Sequence, residues 1–145
     1  DKWILQAELF NELHRWVNRE WRRIQLAGGS RTEVPRYYGM VRDFFKAAEK
    51  VWGTAWDNSA YMVTRPVAIK AMLRVCADLA REDGQAAEGR VKRWEARLAP
   101  WAEQVRAYRV DGFYERFPAK GEIERVSRIH RELAKLANID IKSTP

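Results

Sequence analysis

Apolar residues along this chain recur three and four positions apart, the spacing of an amphipathic helix, and no run alternates as a half-buried strand does. Glycine or proline bounds most of these runs, and both residues end or restart helices. The pattern predicts an all-α fold, a compact bundle of about five helices around one core. Residues 1–137 are expected to form a single helical domain, and residues 138–145 are expected to fray.

Five helices follow from the runs and their breaks. Pro100 lies inside the fourth run, so that helix is expected to kink or restart after Ala99. The segment "VDGFYERFPAKG", with two glycines and a proline, is expected to be an irregular connection, and residues 27–35 a loop within the domain. The predicted helices cover about 2–26, 37–53, 66–84, 91–108 and 123–137.

The stretch "VWGTAWDNSAYMVTRPVAIKAML" predicts a joint between two helices. Trp52 and Trp56, one turn apart, are expected to close the second helix onto the third, with residues 57–59 as a turn. Residues 61–63 then form a short extended bridge, and Pro66 restarts the helix because proline favours a first helical position. The joint is predicted to have a structural role.

Charge and composition restrict the kinds of partner. The chain has 27 lysines and arginines against 20 acidic residues, a net charge of +7, which favours a polyanionic partner. No apolar run is long enough to cross a bilayer, so no membrane partner is expected. The chain begins at Asp1 without an initiator methionine, and we expect it to be a piece of a longer protein.

Cysteine and histidine usage argues against a catalytic or metal role. Cys76 is the only cysteine, so no internal disulfide can form, and a reducing, cytoplasmic setting is expected. Its apolar neighbours favour an inert core thiol over a nucleophile. His14 and His130 stand at no metal-ligand spacing, and no phosphate loop or nucleophile elbow is present. We expect no enzyme activity, cofactor or metal site in this chain.

Tryptophan is abundant, and four of the seven fall on apolar helical faces typical of core packing. Trp3, Trp21 and Trp56 are placed less clearly and are the better candidates for function. The core group comprises Trp16, Trp52, Trp94 and Trp101.

Two groups of basic residues at helical spacing are candidate nucleic-acid contacts. In the last helix, Glu122, Glu124 and Glu132 interleave with the basic residues at spacings that permit ion pairs. A solvated, ion-paired face and an anion-binding face therefore both remain open. The candidates are Arg125, Arg128, Arg131 and Lys135 in the last helix, and Arg15, Arg19, Arg22 and Arg23 in the first.

The aromatic residues of the 110–121 connection offer the alternative function. If Phe113, Tyr114 and Phe117 form an exposed patch, they are expected to dock on a partner, which would make the chain a scaffold or oligomerisation module. Clustering of the basic residues on one exposed face would instead favour DNA.

The segment "YYGMVRDFFKAAEKVWGTAWDNSAYMVTRPVAIKAMLRVCADL" resembles the helical C-terminal region of bacterial DGQHR-domain proteins, a group that includes the DndB-like proteins linked to DNA phosphorothioation. The shared features are a Phe-Lys pair, a tryptophan pair and an extended Tyr-x-x-Thr. The "FPAKGEIERVSRIHREL" segment looks like the closing segment of such proteins, although the naming pentapeptide is absent here. The resemblance implies a role in DNA modification or anti-phage defence, including transcriptional control of the modification genes, with DNA, other domains or defence-system proteins as partners.

Overall fold

The computed structural model describes residues 34–84 and 86–141, together with six single helical positions near the N-terminus. Most of the first predicted helix, most of the 27–35 connection, Arg23, and residues 142–145 lie outside the described residues. The six single positions are Asn11, His14, Arg15, Asn18, Arg19 and Arg22.

Five α-helices form the continuously described part, which contains no strand beyond one isolated bridge, so the all-α prediction is confirmed. α1 packs on α3, and α2 packs on α5. Between α3 and α4 the chain forms a 3₁₀ segment, Ala99–Tyr108, that contacts both α1 and α5. The helices are α1 Val34–Trp52, α2 Pro66–Glu82, α3 Arg90–Leu98, α4 Phe113–Arg116 and α5 Glu122–Leu136.

The predicted break at Pro100 is confirmed, since α3 ends at Leu98 and the 3₁₀ segment begins at Ala99. Proline lacks the amide hydrogen that would continue the α-helical ladder, and its ring crowds the carbonyl one turn earlier. The run beyond it takes the tighter 3₁₀ form and ends at Tyr108. The short helix α4 was not predicted, because its glycine and proline neighbours indicated an irregular connection.

The joint between α1 and α2 has the predicted parts. Asn58 makes the turn: its Oδ1 accepts a hydrogen bond from the Ala60 amide at 2.9 Å, and its Nδ2 donates to the Thr54 carbonyl at 3.0 Å. Arg65 is extended, and Pro66 takes the first position of α2. The chain therefore reverses between the two helices where the sequence predicts it.

The short extended bridge within this joint pairs with the end of the 3₁₀ segment. Tyr61 and Arg109 form an isolated antiparallel bridge. The Met62 amide donates to the Tyr108 carbonyl at 2.6 Å, and the Val110 amide donates to the Ala60 carbonyl at 2.9 Å. These bonds fix the joint against a segment that follows α3.

Aromatic rings hold the centre of the core. Trp52 stacks on Trp101 with ring centroids 5.5 Å apart, and its edge contacts Tyr108 at 5.0 Å. The Trp101 indole donates to the Leu133 carbonyl at 2.9 Å, which ties the 3₁₀ segment to α5. Trp52, Trp94 and Trp101 are buried, so the core prediction is confirmed for them, and Trp16 lies outside the described residues.

The C-terminal boundary lies later than residue 137. Asn138 has a left-handed φ of 54°, and the Ile139 amide donates to the Ala134 carbonyl at 2.8 Å, which closes α5 with a Schellman motif. Ile139 is buried, and the Arg97 guanidinium donates to the Asn138 carbonyl at 2.9 Å. The expected fraying from residue 138 is therefore wrong for these two residues.

Cys76 is expected to react slowly with thiol reagents in the native protein. Its side chain is fully buried on α2, and burial raises the pKa of the thiol, so little reactive thiolate forms. Stopped-flow labelling at neutral pH checks this prediction, with the urea-unfolded chain as the control. Complete labelling of the native protein at the rate of the unfolded chain would contradict it.

Candidate nucleic-acid interface

Buried ion pairs position the helices that carry the candidate residues. Asp78 of α2 lies between Arg81 and His130, and the His130 Nε2 is 2.6 Å from its carboxylate. On the other helix pair, Arg90 of α3 reaches the Asp43 carboxylate of α1 at 2.8 Å. The Asp78–His130 contact joins α2 to α5, and the Arg90–Asp43 pair joins α3 to α1, so α5 is held in a fixed orientation on α2. His130 thus has a structural partner.

Helix α5 has one buried face and one exposed face. Val126, Ile129 and Leu133 are buried against the core. Arg128, Arg131 and Lys135 stand three and four residues apart, so they share the opposite side of the helix, and all three are exposed. We call these three residues the basic face.

Within 34–84 and 86–141, the glutamates of α5 form no ion pair with the basic face. Glu122 accepts from Lys70 of α2 at 3.3 Å, and Glu132 accepts from Arg116 of α4 at 2.9 Å. Glu124 accepts from the backbone amide of Lys120 at 2.9 Å. The ion pairs that the spacing within α5 permits are therefore not formed among the described residues.

Arg125 makes its contacts within the fold, although its spacing in the sequence grouped it with the residues of the basic face. Its Nε donates to the Phe117 carbonyl at 2.9 Å, and its Nη2 donates to the Ala119 carbonyl at 3.3 Å. The guanidinium also lies 4.7 Å from the ring centroid of Tyr114. Arg125 therefore holds the segment before α5 in place and is a poor candidate for a phosphate contact.

Arg128 makes one internal hydrogen bond and remains exposed. Its Nη1 donates to the Pro118 carbonyl at 2.6 Å. A guanidinium has five N–H donors, so four remain for a ligand. Within 34–84 and 86–141, neither Arg131 nor Lys135 makes a hydrogen bond or an ion pair with another side chain.

The basic residues predicted on the first helix are described only in part. Arg15 and Arg22 are exposed, Arg19 is half-buried, and Arg23 lies outside the described residues. Arg15 already has an interaction partner. Their contribution to a shared surface with α5 stays a prediction.

The exposed aromatic patch expected around α4 is not present. Phe113 and Phe117 are fully buried, with ring centroids 6.1 Å and 5.3 Å from that of Tyr108, so they complete the core. Tyr114 alone points outward. The predicted docking role is therefore wrong for the two phenylalanines, whose large apolar rings gain more from burial than from exposure.

Comparison with protein-family models, with curated proteins and with solved structures gives no match for this chain. The function is therefore argued from the geometry of the site.

Two further findings restrict the chemistry of the described residues. None of their helices is long and apolar enough to span a bilayer. They also contain no group of three or more histidine, cysteine and acidic side chains suited to hold a metal ion.

A groove of about 640 Å³ lies between α1, the joint that follows it and the start of α2. Half-buried Phe45 and Trp56 form its apolar wall, and Lys46 and Glu49 stand among its lining residues. Trp56 is thus available at a surface, unlike Trp52. The mixed charges in this groove select no particular ligand.

Proposed function

We propose that this helical domain binds DNA through the phosphate backbone, with the basic face of α5 as its contact surface. The observation that carries the proposal is that Arg128, Arg131 and Lys135 share one exposed helix face and that, among the described residues, the α5 glutamates form no ion pair with them. Surface charge that is already paired has little left to offer a ligand, whereas these cations keep free donors. The net charge of +7 also favours binding to a polyanion such as DNA.

The spacing of the basic face suits contacts along a backbone. At about 1.5 Å of rise per residue, Arg128 and Lys135 are about 10 Å apart along the helix axis. Arginine and lysine contacts to phosphate position a protein on DNA without reading the bases. The expected binding is independent of base sequence and weak, with a Kd of about 10⁻⁴ to 10⁻⁶ M near physiological salt.

The biological setting of the proposal comes from the resemblance to DGQHR-domain proteins. On that basis we place the domain in a bacterial protein concerned with DNA modification or anti-phage defence, and we assign no catalysis to the domain itself. The runner-up is a scaffold module. Phe113 and Phe117 are buried and cannot form its docking surface, so the candidate surface is now the apolar wall of the groove, formed by Phe45 and Trp56.

Reversing Arg128 and Arg131 to glutamate is expected to abolish DNA binding and leave the fold intact. Three phosphate contacts give the wild-type protein a log–log salt slope of about −2.7 on duplex DNA, and removing two of them while adding two repulsive charges eliminates the affinity. Both side chains are exposed, so the free energy of unfolding should change by no more than about 0.5 kcal/mol for each substitution. Fluorescence anisotropy across a salt titration measures the binding, and circular dichroism the fold.

The matched control reverses two exposed lysines elsewhere, Lys46→Glu with Lys92→Glu, which changes the net charge by the same amount. We expect this variant to retain most of the wild-type affinity. Equal loss in both variants would mean that only the net charge matters. No binding by the wild-type protein at low salt would refute the proposed function and put the scaffold module first.

A further inference from the structure

Tyr114 is the most exposed aromatic side chain of the described residues, with 55% of its surface accessible. An exposed tyrosine by itself indicates no function, because single apolar side chains are common on protein surfaces. What distinguishes Tyr114 is that its ring is held from two sides. The Arg125 guanidinium lies 4.7 Å from the ring centroid, and the Phe113 ring meets it edge-on at 5.3 Å and 88°.

The groups that hold this ring are themselves fixed. Arg125 is tied to two backbone carbonyls, those of Phe117 and Ala119, and Phe113 is fully buried in the core. The ring therefore has little freedom to lose when a ligand stacks on it. A preorganised aromatic surface binds more tightly than a mobile one because less conformational entropy is lost.

The ring also adjoins the basic face. Arg125 precedes Arg128 by one helical turn, and Arg128 donates to the Pro118 carbonyl of the segment that follows α4. An aromatic platform thus stands at the N-terminal end of the row formed by Arg128, Arg131 and Lys135. Proteins that bind single strands combine these two elements, a basic track for the backbone and an aromatic ring for a base.

We infer that Tyr114 is a stacking platform for a nucleotide base and that single-stranded nucleic acid is the preferred ligand of the basic face. The inference rests on the proposed function, since the same cations would hold the flanking phosphates. Bases of a duplex are already stacked on one another, and their faces are not accessible to a side chain. A single strand offers both a free base and a flexible backbone.

Tyr114→Ala is the variant that tests this inference. With labelled oligo(dT) and a duplex of equal length at low salt, we expect the wild-type protein to bind the single strand more tightly. The alanine variant should lose between about 5-fold and about 150-fold in single-strand affinity, the usual effect of removing one stacked base contact, and little in duplex affinity. Tyr114→Phe keeps the ring and should bind the single strand with an affinity close to that of the wild-type protein.

Tyr38→Ala on α1 is the matched control, because Tyr38 is also exposed, at 40%, and lies on another helix. It should bind both ligands as the wild-type protein does. Circular dichroism checks that each variant folds. If Tyr114→Ala binds oligo(dT) normally while the Arg128 and Arg131 reversal abolishes binding, the stacking platform is refuted and the phosphate surface stands. If the wild-type protein binds neither ligand, both proposals are wrong.

Discussion

Replacing Trp52 by alanine is expected to lower the free energy of unfolding by about 3–5 kcal/mol, the range for truncating a large aromatic residue in a core. Trp52 is the last residue of α1 and contacts two other elements, α2 and the 3₁₀ segment. Its ring stacks on Trp101 and meets Tyr108 edge-on, and its Nε1 lies 3.4 Å from the Met72 sulfur. The substitution therefore opens a cavity where α1, α2 and the 3₁₀ segment meet.

Urea denaturation followed by circular dichroism measures this loss, with Trp56→Ala as the control. Trp56 is one turn further along, but it is only half-buried and its ring contacts Phe45 alone, at 6.3 Å, among the described aromatic rings. We expect a clearly smaller loss from this variant because less apolar surface leaves the core. Equal losses at the two positions would contradict the assignment of Trp52 as the centre of the joint.

Asp78→Ala is expected to cost a similar amount, about 3–5 kcal/mol, although it removes far less volume. The Asp78 carboxylate is almost fully buried and is the shared partner of Arg81 and His130. Removing it breaks the contacts of this carboxylate with Arg81 and His130, and deleting one partner of a buried ion pair is costly in a medium of low polarity. The contact between α2 and α5 should weaken as a result.

A double-mutant cycle with His130→Ala separates the interaction from the volume change. If the two side chains stabilise the fold through their contact, the double variant should lose less than the sum of the two single losses. Additive losses would show that the 2.6 Å contact contributes no net stability. Asp111→Ala, at an exposed position, is the control for loss of a carboxylate and should change the free energy of unfolding by no more than about 0.5 kcal/mol.

The helix boundaries could be predicted from the sequence because local chemistry sets them. Pro66 at the start of α2, Asn58 in the turn and Pro100 at the end of α3 each act on neighbouring backbone atoms. The burial of Trp52 and Cys76 also followed from their helical spacing. These inferences needed no knowledge of which helices touch.

The pairing of charges could not be predicted, because it depends on contacts between distant segments. Asp78 and His130 meet only once α2 packs on α5. Spacing along α5 permitted ion pairs within the helix. In the structure, Glu132 pairs with Arg116 of α4, and Arg125 donates to backbone carbonyls of the segment before α5. Phe113 and Phe117 lie among glycine and proline residues that predict a loop, and no local pattern indicated that their side chains would be buried in the core.

The antiparallel bridge between Tyr61 and Arg109 has a kinetic consequence. It joins positions about fifty residues apart, so its two flanking hydrogen bonds close a long chain loop that contains α2 and α3. Contacts of that sequence separation are expected to form after the local helices during folding. The amide protons of Met62 and Val110 therefore exchange with solvent only when these two hydrogen bonds break. Their exchange rates thus measure how often the part of the domain that contains α2 and α3 opens.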